Sequence, residues 1–414
     1  MARNQPKRDD EANWKSPRDT NANYLTLPAK GFAMMNLRIF QQAVIIIILI
    51  ALFFLHCAKT PEPGRATNWI GFKGDNLRTS VSPDSGPPTR PGIAWIYEYD
   101  LPMQSSPVIY NDVLYCGTDE GVIALDIISL DELWSFPTKE KVYSTPALDS
   151  LSIFFGSWDF HCYCLELTTG KLNWSFADTG AFSGSPAVDD RYVYIGNFSG
   201  NIYALDKQSG QMAWKYTADD WVVSSPAIWR EKLFIGSSDS YLYCLDKNTG
   251  GLIWKFKASQ DIASTPAVDT ILSRVYFGSH DSTVYAIDIE TGLASWSYRA
   301  RDIVYSSPAL AGGRVYFGSL DSTFYCLDTE TGQEIWRFRT YDDIYSSPSF
   351  AKNRVYFISY DKNLYALNAQ DGVLEYVFEI KGPANSTPVV YGEHLFLGDL
   401  FGNLYALGKP FKRP

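Results

Sequence analysis

Ser224-Ser225-Pro226-Ala227-Ile228, Trp229-Arg230-Glu231-Lys232, Leu233-Phe234-Ile235-Gly236, Ser237-Ser238-Asp239-Ser240, Tyr241-Leu242-Tyr243-Cys244-Leu245-Asp246, Asn248-Thr249-Gly250 and Gly251-Leu252-Ile253-Trp254-Lys255-Phe256 follow one another as one unit of this chain. Short β-branched and aromatic runs alternate with clusters of Gly, Asp, Asn and Ser, the pattern of strands joined by tight turns. Asp and Ser side chains bond turn backbone, and Gly supplies positive φ. Four antiparallel strands with three short turns in about 40 residues make one propeller blade.

The unit recurs in register. Ser-Ser/Thr-Pro marks, the third reading Gly184-Ser185-Pro186, end at Pro107, Pro146, Pro186, Pro226, Pro266, Pro308, Pro348 and Pro388, in steps of 39, 40, 40, 40, 42, 40 and 40 residues. Twelve residues before each proline stands an aromatic: Trp95, Trp134, Trp174, Trp214, Trp254, Trp296, Trp336 and Tyr376. Eight registered copies mean a repeat architecture, and the expected fold is all-β, an eight-bladed propeller of four-stranded antiparallel blades. The 42-residue step comes from extra residues near Thr270-Ile271-Leu272, and the 39-residue step from a shorter hairpin at 118–121.

Counting also predicts how the ring closes. A small residue on strand three precedes the aromatic by ten residues, as Ala204 precedes Trp214. The last such residue is Ala406, so its tryptophan would fall beyond Pro414, the final residue. Trp95, on Ile93-Ala94-Trp95-Ile96-Tyr97, supplies the missing strand. Pairing it with the last blade removes an exposed strand edge, and deleting 93–100 is expected to open the ring.

The 414 residues are 46% hydrophobic and 15% aromatic, enough for a large core, and the net charge of −10 argues against a nucleic-acid partner. Of six cysteines, Cys164, Cys244 and Cys326 fill the slot held by alanine in other repeats and read as small buried hydrophobes. His161 beside Cys162 and Cys164 suggests zinc, but two thiols on one strand are a poor metal clip. No metal site is expected.

Residues 1–33 are polar and unpatterned. Met34-Met35-Asn36-Leu37-Arg38 then leads into 13 apolar residues, Ala43 to Leu55. That is short for a membrane span of about 20 and suits a signal segment of roughly 7–15. Leu55-His56-Cys57-Ala58 resembles the end of a bacterial lipoprotein signal, which implies lipidation at Cys57. His56 and Phe54 depart from the usual pattern, so an uncleaved signal anchor in the inner membrane stays open. The long leader points to a start at Met34 or Met35. Residues 58–92, with six prolines, read as a linker. The expected organisation is therefore leader 1–33, signal 34–57, linker 58–92, propeller 93–408 and tail 409–414.

Ala204-Leu205-Asp206-Lys207-Gln208-Ser209-Gly210-Gln211-Met212-Ala213-Trp214 resembles the tryptophan-docking motif of pyrroloquinoline-quinone (PQQ) type propellers, A-x-D-x-x-T/S-G-x-x-x-W. Further copies end at Trp254, Trp296 and Trp336. Cys164 and Glu166, Leu130, and Asn368 with Tyr376 are departures in three other copies. Asn68-Trp69-Ile70-Gly71-Phe72-Lys73-Gly74-Asp75 is similar to the opening of such proteins, so the resemblance spans 68–408. It implies that each indole staples its blade to the next.

The family holds both enzymes and scaffolds. Its quinoprotein dehydrogenases carry cofactor loops, a carboxylate-rich Ca²⁺ site, a catalytic Asp and often vicinal cysteines. This chain has no adjacent cysteines and only short loops, and Asp239, Asp281, Asp321 and Asp361 recur at equivalent turns, as structural residues do. No catalytic residue and no PQQ are expected. A compact ring behind a lipid-anchor signal looks like the BamB-type lipoproteins, scaffolds of outer-membrane barrel assembly. That implies protein partners at the periplasmic side of the outer membrane; a ligand-binding or sensing propeller is the alternative. The candidate contact face comprises Tyr143, Phe182, Trp221, Tyr305 and Tyr345 on the loops entering strand one, with Trp158, His280 and Tyr360 on adjoining hairpins. Buried aromatics dominate many interfaces; ordinary blade packing is the competing reading.

Overall fold

A computed structural model describes residues 67–88, 90–99 and 101–411, within the unit Arg65–Pro414. The signal segment and Cys57 lie outside the described residues. Every regular element described is a strand, and no described helix is long and apolar enough to cross a membrane.

The strands form eight sheets. Blade 1 holds Val108–Tyr110, Val113–Thr118, Gly121–Asp126 and Glu132–Pro137, and blades 2 to 7 repeat this order through Glu379. First strands of neighbouring blades approach one another around the axis. Blade 8 takes Val389–Tyr391, His394–Gly398 and Asn403–Gly408 from the C-terminus and Gly92–Glu98 from the N-terminus. Trp95 pairs with Ala406 in the register that Trp214 keeps with Ala204. The chain closes its own ring.

Ser-Ser/Thr-Pro recurs because each hydroxyl has a separate task. In four blades the first serine ties its blade to itself, whereas Ser105 and Ser224 donate to Ser144 O and Ser264 O of the next blade. Ser144 Oγ donates to Gly156 O at 2.8 Å and accepts from Gly156 N at 2.9 Å. Ser264, Ser346 and Ser386 donate in the same way to Gly278, Ile358 and Gly398. The second hydroxyl accepts from the preceding blade. Thr145 N donates to Ser185 Oγ and Ser185 N to Ser225 Oγ, both at 2.9 Å. Similar bonds link most other joints, and Thr387 N to Ser106 Oγ at 2.8 Å carries the circle across the closure.

The indoles staple the outer side. Nε1 of Trp95, Trp134, Trp174, Trp214, Trp254, Trp296 and Trp336 donates to a carbonyl of the next blade over 2.8–3.2 Å. The glycine of the docking motif lies on the previous blade's indole. At Gly250, with φ +73°, a Cβ would sit 2.6 Å from Trp214, so both backbone and space demand glycine. Leu130 holds this position in blade 1 with φ 66° and packs into the core. Tyr376, in the last copy, has no indole N–H to donate and packs beside Tyr356 instead. Core clusters straddle joints: Tyr194, Ile202 and Trp214 of blade 3 pack with Leu233, Ile235 and Tyr243 of blade 4.

Residues 67–92 depart from the linker reading. From Trp69 to Gly86 the chain visits the first strand of every blade in order. Trp69 exchanges backbone bonds with Ile109, at 2.8 and 2.9 Å. Carbonyls of Ile70, Asn76, Leu77, Thr79 and Ser80 then accept from Leu148, Ile228, Val268, Leu310 and Phe350 over 2.8–3.0 Å. Asn76 Nδ2 reaches Val188 O at 2.7 Å, and Gly86 N reaches Gly392 O at 3.1 Å. Val81–Ser82 pairs parallel with Ser349–Ala351 as a fifth strand of blade 7. Arg78, 1% exposed, donates to Pro226 O, Pro186 O and Phe72 O at 3.0, 2.8 and 2.5 Å. Buried Lys73 donates to Pro308 O. Burial pulls the Arg78 guanidinium down to about 10, with Asp75 opposing. A proline-rich stretch with no strand period still orders itself because the inner strands offer it unpaired backbone groups.

Candidate functional site: the axial cup

The loops entering each first strand converge on one mouth of the axis. Residues four before each proline point into the core: Val142, Phe182, Val222, Ile262, Val304 and Ile344 are fully buried. Residues three before it line a cavity of about 350 Å³, among them Gln104, Tyr143, Ser183, Tyr305, Tyr345 and Asn385. The second hydroxyls, Ser106 to Ser347, ring this cavity, and Phe72 of the N-terminal segment also lines it. Each ring hydroxyl that accepts a backbone N–H keeps its own proton for a further acceptor.

Tyr143, Tyr305 and Tyr345 therefore line the cup, together with Trp158 of the hairpin. Phe182 does not belong there. It stands one residue from the lining position, so it faces the core at 0% exposed. Trp221, two residues from that position, sits on the rim at 54% exposed. Phe198, absent from the sequence-derived set, occupies the hairpin slot of Trp158, His280 and Tyr360 and lines the cup. Its signal was the second residue after the strand-two glycine, visible by aligning Gly196 with Gly156.

The rings form two sectors. Trp158 contacts Tyr143 at 5.2 Å and Phe198 at 5.3 Å, and Phe198 stacks on Trp221 at 5.1 Å. In the other sector, His280 stacks on Tyr305 at 5.7 Å, Tyr305 meets Tyr345 at 5.6 Å, and Tyr345 meets Tyr360 at 4.6 Å. Tyr360 OH donates to Asn385 Oδ1 at 2.6 Å. Burial pushes the Tyr305, Tyr345 and Tyr360 hydroxyls up, so all three stay neutral donors.

The recurrent hairpin aspartates brace these loops. Asp239 accepts from Tyr243 OH at 2.6 Å and from Asp219 N at 3.0 Å. Asp281 accepts from Tyr285 OH at 2.7 Å and Ser259 N at 2.9 Å. Asp361 does the same for Tyr365 OH at 2.6 Å and Tyr341 N at 3.1 Å. A carboxylate pinned between its own hairpin and the loop that enters its blade positions the mouth.

His161 Nδ1 lies 2.8 Å from Asp159 O, and Cys162 and Cys164 are buried free thiols. Burial pushes the Cys164 thiol up to about 11 and Cys116 to about 12. Among the described residues no three His, Cys, Asp or Glu side chains converge as metal ligands.

Residues 230–307 and 301–409 match the family model described as outer membrane protein assembly factor BamB. The repeats are of the PQQ-like propeller type. No curated protein matches the chain significantly. Among solved structures the PQQ-like ring is similar to BamB from Moraxella catarrhalis, at 17% identity and a TM-score of 0.68, over 77% of this chain and 99% of that one. It is similar to the computationally designed Ika8 protein, also at 17% and 0.68, over 75% and 97%. A quinohemoprotein alcohol dehydrogenase from Comamonas testosteroni superposes at 13% identity and a TM-score of 0.72, over 84% and 81%. These likenesses establish a fold that serves both an assembly factor and an oxidoreductase.

Proposed function

We propose that the ring is a non-catalytic scaffold of the bacterial cell envelope that binds protein partners through the aromatic mouth, in a BamB-like role in outer-membrane protein assembly. The observation that carries this reading is the exposed aromatic collar, with Trp221 54% and Tyr305 43% exposed above a cup held by braced loops. Large rings left in solvent on a rigid face are unusual in a monomer and frequent at interfaces. The lipoprotein-like ending at Cys57 supports a place at the periplasmic side of the outer membrane, with the lipid as anchor; an inner-membrane signal anchor is the alternative.

The cup's lining speaks against PQQ. It consists of hydroxyls, amides and rings with Val223 and Ala263, and no lysine, arginine or carboxylate lines it. A carboxylate-bearing quinone needs cations; Lys73 and Arg78 are committed to proline carbonyls, and Lys141 lies over the Tyr143 and Trp158 rings. A second reading, an envelope propeller that binds or senses a small ligand, is favoured by the enclosed volume of about 350 Å³ beside the hydroxyl ring.

Affinity capture from envelope membranes with the intact protein tests the scaffold. Recovery of barrel-assembly components, lost in Trp221→Ser with Tyr305→Ser at unchanged melting temperature, is expected. Undiminished capture by that variant would remove the mouth from the interface. Mass spectrometry of the mature N-terminus tests the anchor: a peptide spanning His56 and Cys57 overturns lipidation.

A further inference from the structure

Blade 2 carries an internal precedent for what blade 7 could hold. In blade 2, Lys141 stands five residues before the proline, and its carbonyl accepts from Trp158 N at 2.9 Å. Its ammonium lies 4.6 Å from the Tyr143 centroid and 4.4 Å from that of Trp158. The site is a cation–π cage filled from within. In blade 7 the same backbone bond runs from Tyr360 N to Asp343 O at 2.8 Å. Tyr345 and Tyr360 stand where Tyr143 and Trp158 stand, but the residue in the lysine's place is Asp343. Among the described residues no lysine or arginine lies over Tyr305, Tyr345 or Tyr360.

Asp302 and Asp342 flank Asp343 on the loops entering blades 6 and 7. Among the described residues none of the three forms an ion pair. Burial, and after it the neighbouring charges of Asp342, Asp302 and Asp321, pushes the Asp343 carboxyl up. Such carboxylates beside half-exposed rings complement a planar cation. Guanidinium stacks on aromatic faces and bonds carboxylates in pairs, and it is more weakly hydrated than ammonium.

We propose that the sector formed by Tyr305, Tyr345 and Tyr360 with Asp302, Asp342 and Asp343 receives an arginine side chain of a partner polypeptide, filling the place that Lys141 fills in blade 2. This rests on the scaffold reading and names the chemistry of the partner segment.

A fluorescein-labelled peptide Gly-Arg-Gly-Arg-Gly, titrated into the intact protein and followed by anisotropy, tests it, with Gly-Glu-Gly-Glu-Gly as control. The arginine peptide should bind with one site per ring and weaken as salt rises, and the glutamate peptide should not bind. Asp302→Asn with Asp342→Asn and Asp343→Asn should lower the association constant at least tenfold, as should Tyr345→Leu. Lys141→Gln should empty the blade 2 cage and raise the stoichiometry towards two. Binding equal for both peptides, or unmoved by both the asparagine and Tyr345 variants at unchanged melting temperature, overturns the proposal. Failure here with barrel-assembly capture intact would leave the scaffold and remove only the arginine pocket. Loss of capture in Trp221→Ser alone, which leaves all three pocket rings in place, with peptide binding intact would separate the two in the other direction.

Discussion

Trp95→Ala and Trp134→Ala should cost the ring similar free energies and fail in different places. Both indoles are 9% exposed. They donate to Ile127 O at 2.9 Å and Leu167 O at 3.0 Å. Truncating a buried tryptophan costs about 3–5 kcal/mol, so the local terms match. Connectivity separates them. Trp134 lies on Glu132–Pro137, which a short turn ties to Gly121–Asp126 of its own blade. Gly92–Glu98 reaches blade 8 through its ladder with Asn403–Gly408, far away in sequence. Spent on that ladder alone, about 3–5 kcal/mol raises its opening constant roughly 150- to 5,000-fold. Hydrogen–deuterium exchange read by mass spectrometry should show peptides covering 403–408 losing about two to nearly four orders of magnitude of protection in Trp95→Ala. Peptides covering 121–126 should stay close to the global limit in Trp134→Ala. The bared edge should also make Trp95→Ala associate as concentration rises. Unchanged exchange at 403–408, or equal local loss in both variants, would refute closure as the reason for the N-terminal strand.

Gly250→Ala should lower the melting temperature by several degrees, since left-handed backbone costs about 1–2 kcal/mol for an L-residue and the Cβ meets Trp214 at 2.6 Å. Gly251→Ala next to it, whose nearest neighbour would be Thr249 Oγ1 at 3.3 Å, should change it little; equal effects would remove the indole contact as cause. Arg78→Met leaves the Pro186, Pro226 and Phe72 carbonyls without their donor, and should cost about 3–5 kcal/mol in urea unfolding; a loss below about 1 kcal/mol would make the axial segment dispensable. Burial would raise the Asp178 carboxyl, but hydrogen bonds from Tyr203, Asn201, Thr179 N and Asn197 outweigh it and hold it at about 2. A depressed carboxyl stabilises above its unfolded pKa of roughly 3.9, and that contribution is lost as pH falls through the folded value. Asp178→Asn should therefore flatten the fall in stability between pH of about 4 and 2, read by thermal melts across that window. Burial holds the Cys244 and Cys326 thiols up at about 12, so a thiol reagent at pH 8 should label both only after denaturation, as peptide mapping would show.

The chain's own spacing determined the blade count, the strand order and the closure. Those follow from a residue repeat whose aromatic lacks a partner strand at Trp95 and whose Ala406 lacks an aromatic. The docking staple was also legible, because Gly at positive φ and Trp at a fixed distance serve one local contact. The structure alone decided what crosses the axis. Residues 69–86 carry no strand period, since the segment passes from blade to blade after only one or two bonds to each inner strand, and proline content misdirects the reading towards a linker. The cup was half legible: Tyr143, Tyr305 and Tyr345 share a slot, whereas Phe182, one residue off it, turns into the core, because a one-residue shift in extended chain reverses the side chain. The contrast between Lys141 and Asp343 shows in the register, five residues before each proline, but only the structure shows that the lysine's ammonium is seated on two rings.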